Sequence, residues 1–421
     1  MAKLIENVFE YLDSHNESRY DNYNMLSFLD KINFDFKVPF IHITGTNGKG
    51  SVANYLNNIY VAANYKVGLF TSPHFKDYVE DIRINNVPIS HEEMQKIYAK
   101  YIKEINKFEL TQFEVLTFIM FSYFNESGLD LAIIEVGMGG EYDATTIDNP
   151  PLLAIINNVS LEHADILGKS VSEIALTKAG IIKDECQVLV NMVDEDSKLA
   201  IEEVCKKKRA KLHYVNEFYR YGISNQGQLF VGYYPYNDFL VATSCITQRA
   251  NVACAIEASL LLKDKFPLKF ENLQEAFLKP QLPGRFTLFK INNKNVIVDG
   301  AHNPDAFLNL TKALDYLPIL GKIDSMVAVF RDKNIEKMLA LLGSHVRTIS
   351  LTTFDHPRAR TKDEFSLFIE EYPFYDDYFQ LFTGLLNRED NNAILVTGSL
   401  YFATLFIDRL IKEGLIENGN F

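Results

Sequence analysis

The stretch VPFIHITGTNGKGSV, residues 38–52, decides the fold. Its apolar, β-branched run Phe40-Ile41-His42-Ile43 reads as a buried parallel strand, with His42 as a satisfied core histidine. The run breaks into Gly45-Thr46-Asn47-Gly48-Lys49-Gly50-Ser51, after which Val52-Ala53-Asn54-Tyr55-Leu56 resumes at helical spacing. Strand, glycine turn and helix in that order make a phosphate cradle. Glycines let successive backbone N–H groups converge on an anion, the helix N-terminus adds partial positive charge, and a lysine supplies a mobile ammonium. The strict phosphate-loop pattern has Ser or Thr directly after the lysine, whereas here Gly50 intervenes. An ordinary glycine-rich turn is the alternative reading; Lys49 enclosed among Gly45, Gly48 and Gly50 favours a nucleoside triphosphate site.

The same grammar recurs downstream. A strand over residues 66–70 ends in Thr71-Ser72-Pro73-His74, and LDLAIIEV, residues 129–136, delivers Glu135 into Gly137-Met138-Gly139-Gly140. Residues 152–159 repeat the pattern, with Asn157 and Asn158 near the C-terminal end and Glu162-His163 in the next loop. A helix over 171–182 carries Lys178, and 187–192 reads as a further strand. Alternating strands and helices predict a mostly parallel sheet covered on both faces, with ligands beyond the carboxyl ends of its strands. A carboxylate ending a run as apolar as that before Glu135 is there to meet a charge, a lysine being one candidate. His163 reads equally well as a loop histidine capping its strand.

Ahead of the cradle, residues up to about 36 read as an amphipathic helix beginning at MAKL and a polar connector rich in Tyr and Asn. Ser90 and Glu93 make a capping box for a helix to about 106, and residues 113–125 are apolar almost all round, as a buried helix would be. Residues 218–244 change to aromatic alternation around Asn225-Gln226-Gly227, the mark of β-hairpins. Helices follow at 249–263 and 272–277, and Pro280-Gln281-Leu282-Pro283-Gly284 is the clearest boundary. Beyond it lie strand candidates at 295–298, 325–330, 347–353 and 393–397, and a last helix over 400–413.

A chain of 421 residues is too long for one ordinary core. With 47% apolar and 23% charged residues it has a globular composition, and no apolar run approaches the roughly 20 residues of a membrane span. A formal charge of −13 argues against nonspecific nucleic-acid binding and means an anionic substrate must be met by local cations. Cys186, Cys205, Cys245 and Cys254 show no C-x-x-C pairing, so neither a disulfide framework nor a zinc site is expected, and the expected location is cytoplasmic.

Ten segments in one order carry a resemblance: HITGTNGKGSV, GLFTSPH, IRIN with PIS, TQFE, IIEVGMGG, LEHADILG, KAGIIK, LPGRF, VDGAHNPDA and GSLYFA, from residue 42 to 403. Together they resemble the folylpolyglutamate synthase/dihydrofolate synthase branch of the ATP-dependent Mur ligase superfamily. The resemblance implies an α/β architecture: a larger N-terminal P-loop-type ATPase domain, residues 1–281, with a mostly parallel sheet plus a short antiparallel section, and a smaller doubly wound C-terminal domain, residues 282–421. It also implies a reaction. ATP phosphorylates a folate or dihydropteroate carboxylate, and the amine of L-glutamate then displaces phosphate. Such chemistry is mainly positioning and charge neutralisation.

By that resemblance Asn47, Gly48, Lys49, Gly50 and Ser51, with Asn251, Arg285 and Asp299, contact ATP. Lys49, Lys178, His163 and Arg285 form the catalytic set, Arg285 reaching the triphosphate when the domains close. Ser72, Glu135, His163 and Lys178 would gather two Mg2+ ions, Lys178 as a carbamate, since a bare ammonium cannot ligate. Thr111, Gln112, Phe113 and Glu114, with Tyr142, Asp143 and Ala144, match pterin-binding segments, and His302 and Asn303 are assigned to glutamate. A monomer is implied. The chain departs from the family pattern at Glu141, Glu162, Thr146, Arg331 and the segment 20–25. The alternatives are another Mur-type amino-acid ligase with a different carboxylate substrate, or a non-catalytic nucleotide-binding protein.

Overall fold

The structure is a computed structural model that describes residues 5–16, 19–74, 76–191, 193–216, 218–317 and 321–417. The chain divides into two compact units, Met1–Phe218 with Ala250–Ala276, and Tyr219–Arg249 with Phe277–Phe421. Residues 219–249 thus fall in the second unit, ahead of the change of domain expected at residue 282.

The first unit is built on eight strands: β1 (Phe40–Thr44), β2 (Val67–Phe70), β3 (Ile82–Ile84), β4 (Val87–Pro88), β5 (Leu131–Glu135), β6 (Leu153–Ile156), β7 (Gln187–Val190) and β8 (Lys211–Tyr214). Their order is β4-β3-β2-β5-β1-β6-β7-β8; the run from β2 to β8 is parallel and β3 and β4 form an antiparallel edge. Phe40, Ala132 and Ile134 share one face while Ile41, Ile43 and Ile133 share the other, and all six are buried. Burial on both faces is why the strands read as continuous apolar runs rather than alternating ones. Register then places the loops. Ile43 pairs with Glu135 and Thr44 with Ile156, so Gly45, Val136 and Asn157 emerge side by side at one edge.

The helix Gln112–Glu126 anchors an aromatic core in which Phe28 meets Phe118 edge-on at 4.8 Å and Phe36 meets Phe121 at 4.7 Å. Full burial of each such ring contributes about 1.5–3 kcal/mol. The helix Tyr23–Lys31 supplies Phe28, and it lies where the sequence suggested a polar connector. Its Met25, Phe28 and Leu29 are buried at helical spacing; the surrounding Tyr and Asn hid that short stripe. The expected N-terminal helix is described as Val8–Ser14; MAKL at its start and Met192 at the end of the expected strand 187–192 lie outside the described residues.

The second unit holds a three-stranded antiparallel sheet, β9 (Arg220–Ile223), β10 (Leu229–Gly232) and β11 (Asp238–Val241), as the aromatic alternation predicts. Six further strands follow: β12 (Thr287–Ile291), β13 (Lys294–Val298), β14 (Ile323–Val327), β15 (Thr348–Thr352), β16 (Phe374–Tyr375) and β17 (Ala393–Thr397). They run in the order β12-β13-β17-β14-β15-β16, parallel except for β12. β12 went unread because its hairpin partner β13 follows after only Asn292 and Asn293, so the two merge in the sequence. Among the described residues no helix is long and apolar enough to cross a membrane.

Candidate active site

The glycine turn after β1 is held from behind by the turn after β6. The Thr46 N–H donates to the Asn158 carbonyl at 3.0 Å, and the Asn47 N–H to Asn158 Oδ1 at 2.8 Å. The Ser160 N–H donates to the Thr46 hydroxyl at 3.0 Å. Gly48 opens the helix Lys49–Ala62 with φ +78°, a left-handed conformation that favours glycine. Space excludes a side chain there as well: a Cβ on Gly48 would lie 2.6 Å from Asn251 Oδ1 and 2.7 Å from Asn157 Nδ2. Asn251 therefore stands against the first residues of the cradle. Lys49 Nζ donates to the Gly45 carbonyl at 3.0 Å, folding the cation over the turn, and Gly50 and Ser51 are buried in the first helical turn.

Lys178 is 2% exposed near the end of the helix Val171–Ala179. Burial, reinforced by the nearby Lys49 cation and opposed by Glu162, lowers its pKa to about 7. The loop after β5 passes close by, and a Cβ on Gly140 would lie 2.6 Å from the Lys178 carbonyl oxygen. Glu135 is 3% exposed at the end of β5, where its Oε2 accepts from the Ser72 N–H at 3.4 Å. His163 has left-handed backbone (φ 50°), and its Nε2 lies 3.9 Å from Glu162 Oε1. Among the described residues no three His, Cys, Asp or Glu side chains gather as a metal cluster. The donors present at Ser72 and Glu135 are oxygens, which fit a hard cation such as Mg2+ that takes its other ligands from phosphate and water.

The expected pterin-binding residues are largely engaged in shaping their loops. Thr111 and Glu114 form a complete capping box on the helix Gln112–Glu126, and Glu114 Oε2 also accepts from Arg19 at 3.0 Å. Gln112 Nε2 donates to the Leu12 carbonyl and the Tyr78 hydroxyl, each at 2.9 Å. Phe113 lies over Gly137, its ring centroid 5.9 Å from that of Phe70. Asp143 is buried, which raises its pKa; it accepts from the Thr145 hydroxyl at 2.6 Å and the Met138 N–H at 2.9 Å. Ala144 is buried, while Tyr142 is 46% exposed with its ring edge-on to Tyr20 at 5.8 Å. His42 Nε2 lies 2.9 Å from the Thr145 hydroxyl, the satisfied core histidine expected of β1.

Four expected residues belong to the second unit. Asp299 accepts from the N–H groups of Phe286 and Ala301, both at 2.9 Å, tying the segment before β12 to the end of β13. Arg285 lies in the field of Asp299 and lines a cleft of about 270 Å³ with Gln226, Gln281 and Ser244. His302 Nδ1 is 2.9 Å from the Gly300 carbonyl, and Asn303 caps the helix Pro304–Asp315 by accepting from the Ala306 N–H at 2.8 Å.

The sequence reading noted Asn157 and Asn158 at a strand end without a role and passed over Asn191. Asn157 Nδ2 donates to the Asn47 carbonyl at 2.9 Å, and Asn191 Nδ2 donates to Asn157 Oδ1 at 2.8 Å. The only signal available was three polar residues just past the ends of two apolar strands.

Lysines, a helix N-terminus and a buried carboxylate at the carboxyl edge of a parallel sheet are the groups from which nucleotide-phosphate sites of the ligase or kinase kind are built. Two families match in succession: the Mur ligase middle domain over residues 43–233, and the Mur ligase glutamate ligase domain over 284–400. The chain is 30% identical over 384 residues to the folylpolyglutamate synthase of Lacticaseibacillus casei, covering 87% of this chain and 88% of that protein. It is 29% identical over 392 residues to the dihydrofolate synthase/folylpolyglutamate synthase of Bacillus subtilis, covering 89% and 91%. The structure of Escherichia coli FolC in complex with ADP shares the fold, with TM-score 0.86 at 24% identity over 97% of this chain and 98% of that one. This chain belongs to the folylpolyglutamate synthase/dihydrofolate synthase family of Mur ligases.

Proposed function

We propose that this chain is an ATP-dependent ligase that activates the carboxylate of a folate or dihydropteroate as an acyl phosphate and joins it to the amine of L-glutamate. The observation that carries the reading is the cradle of residues 45–51, with Lys49 within the electrostatic reach of the buried Lys178, in a chain 30% identical to a folylpolyglutamate synthase. In this reading residues 1–281 act as the ATP-binding domain and 282–421 as the glutamate-ligase domain, in a cytoplasmic monomer.

The cradle's N–H groups and Lys49 bind and orient the triphosphate, with Lys49 moving from the Gly45 carbonyl onto the transferred phosphate. Asn251, Arg285 and Asp299 complete the nucleotide contacts. Ser72, Glu135 and His163 would hold two Mg2+ ions, which supply charge neutralisation at the phosphates. Lys178 would join them as a carbamate: its burial favours the neutral amine, which adds carbon dioxide and releases a proton to leave an oxygen-bearing anion. Thr111, Gln112, Phe113 and Glu114, with Tyr142, Asp143 and Ala144, face the pterin side. In them the loop geometry matters more than direct contact, because Glu114 and Asp143 already have partners. His302 and Asn303 serve glutamate.

The test is phosphate release from ATP and Mg2+ with glutamate plus either dihydropteroate or tetrahydrofolate. Release with one pterin assigns that reaction, and release with both makes the chain bifunctional. Absence of release with either removes the ligase reading.

A further inference from the structure

Three asparagines from distant parts of the first unit form a relay behind the cradle, and its orientation can be worked out from its ends. Asn191 lies within 3.2 Å of the Ala250 carbonyl through Nδ2. A carbonyl oxygen can only accept, so Asn191 must turn its NH2 that way. The same Nδ2 lies 2.8 Å from Asn157, which therefore presents its oxygen. The NH2 of Asn157 is then directed at the other end, where it meets the Asn47 carbonyl at 2.9 Å, again a pure acceptor. Both ends demand the same polarity. Asn157 Nδ2 has one more neighbour, Asn251 Oδ1 at 3.0 Å, which must be an oxygen for the same reason.

Asn157 and Asn191 are 3% and 4% exposed, so these amides have little water to turn to, and reversing one would set like atoms against each other. With Oδ1 of Asn251 committed to Asn157, its NH2 is the end of the amide turned away from Asn157, and the whole amide stands beside Gly48 at the start of the helix. We propose that Asn157, backed by Asn191, is a positioning residue that locks Asn251 as a hydrogen-bond donor toward acceptor atoms of the nucleotide and fixes the Asn47 carbonyl of the cradle. This rests on reading residues 45–51 as the ATP loop.

The discriminating variant is Asn157→Asp, which keeps size and shape but replaces the donor by an acceptor. Asn251 then has to turn its NH2 inward, and the Asn47 carbonyl faces a carboxylate. Isothermal titration with ADP is expected to show affinity weakened about tenfold or more, with KM for glutamate changed less than about twofold. Asn191→Ala, one step removed, is expected to give a smaller loss of the same kind and keeps the test informative if the first variant fails to fold. In a cycle with Asn251→Ala, the Asn157→Asp loss should shrink to the part that acts through the Asn47 carbonyl, because the part that acts through Asn251 is already gone. Wild-type protein that binds no ADP overturns the ATP reading and this inference together. Wild-type binding with ADP affinity unchanged in both Asn157→Asp and Asn191→Ala, or losses that add fully in the cycle, overturns the inference alone.

Discussion

Two buried side chains, one in each unit, show how differently this molecule treats an ionisable group. Asp324, in β14 of the second unit, has a side chain 3% exposed and is surrounded by partners. It accepts from Arg347 Nε at 2.8 Å and Nη2 at 2.6 Å, from the Thr348 hydroxyl at 2.6 Å and from Asn392 Nδ2 at 3.2 Å. Burial opposes its ionisation, but these hydrogen bonds outweigh burial and hold its pKa below the usual carboxylate value. Lys178, beyond the parallel strands of the first unit, is equally buried, yet its strongest charged neighbour is another cation, and its pKa falls to about 7. The fold completes the charge of Asp324 by itself. Lys178 has no such set of partners among the described residues, and the proposed carbamate is what would complete its charge.

The comparison can be broken most sharply at Lys49. Lys49→Ala is expected to lower phosphate release about 10³-fold or more while leaving the thermal unfolding midpoint within a few degrees; joint collapse of activity and fold would make it a structural lysine. Lys178→Met should lose activity on a similar scale and be as stable as wild type or more so, since burial and the neighbouring Lys49 together disfavour the ammonium more than Glu162 favours it. A native mass spectrum should show one bound carbon dioxide on wild-type protein and none on this variant; equal masses after correction for the substitution would count against the carbamate.

Asp324→Asn should do the reverse, costing about 2–3 kcal/mol in urea unfolding, the lower part of the range for a broken buried pair because Arg347 is a third exposed, with kcat unchanged. The sign with pH follows from the depressed pKa. The stabilisation by Asp324 is fully present above its unfolded value of about 3.9 and is lost as pH falls through the lower folded value. Wild type should therefore lose its advantage over Asp324→Asn in acid; a constant gap between pH 7 and pH 2 would contradict the assignment. The smallest effect is expected from Gly48→Ala, which combines left-handed backbone with a Cβ 2.6 Å from Asn251 Oδ1. It should cost about 1–2 kcal/mol and raise KM for ATP more than KM for glutamate.

Local signals in the chain carried much of this. The strand–turn–helix at residues 40–62 was legible because apolar runs and glycines act over a few residues, and the capping of the helix His91–Lys107 by Ser90 was legible for the same reason. The helix Tyr23–Lys31 escaped because its three buried side chains are diluted by polar neighbours. Thr111 and Glu114, which match pterin-binding segments by resemblance, also cap a helix, a role that the T-x-x-E spacing already signals.

What the sequence by itself determined was the order of most strands and helices and the chemical kind expected of the site, since both follow from periodicity and from residue types held close together along the chain. Only the tertiary structure decided the lowering of the Lys178 pKa and the direction of the Asn191–Asn157–Asn251 relay. A pKa depends on the dielectric and the charges supplied by remote segments, and an amide's polarity on which carbonyl stands opposite it. Neither is a property of the residue or of its neighbours in sequence.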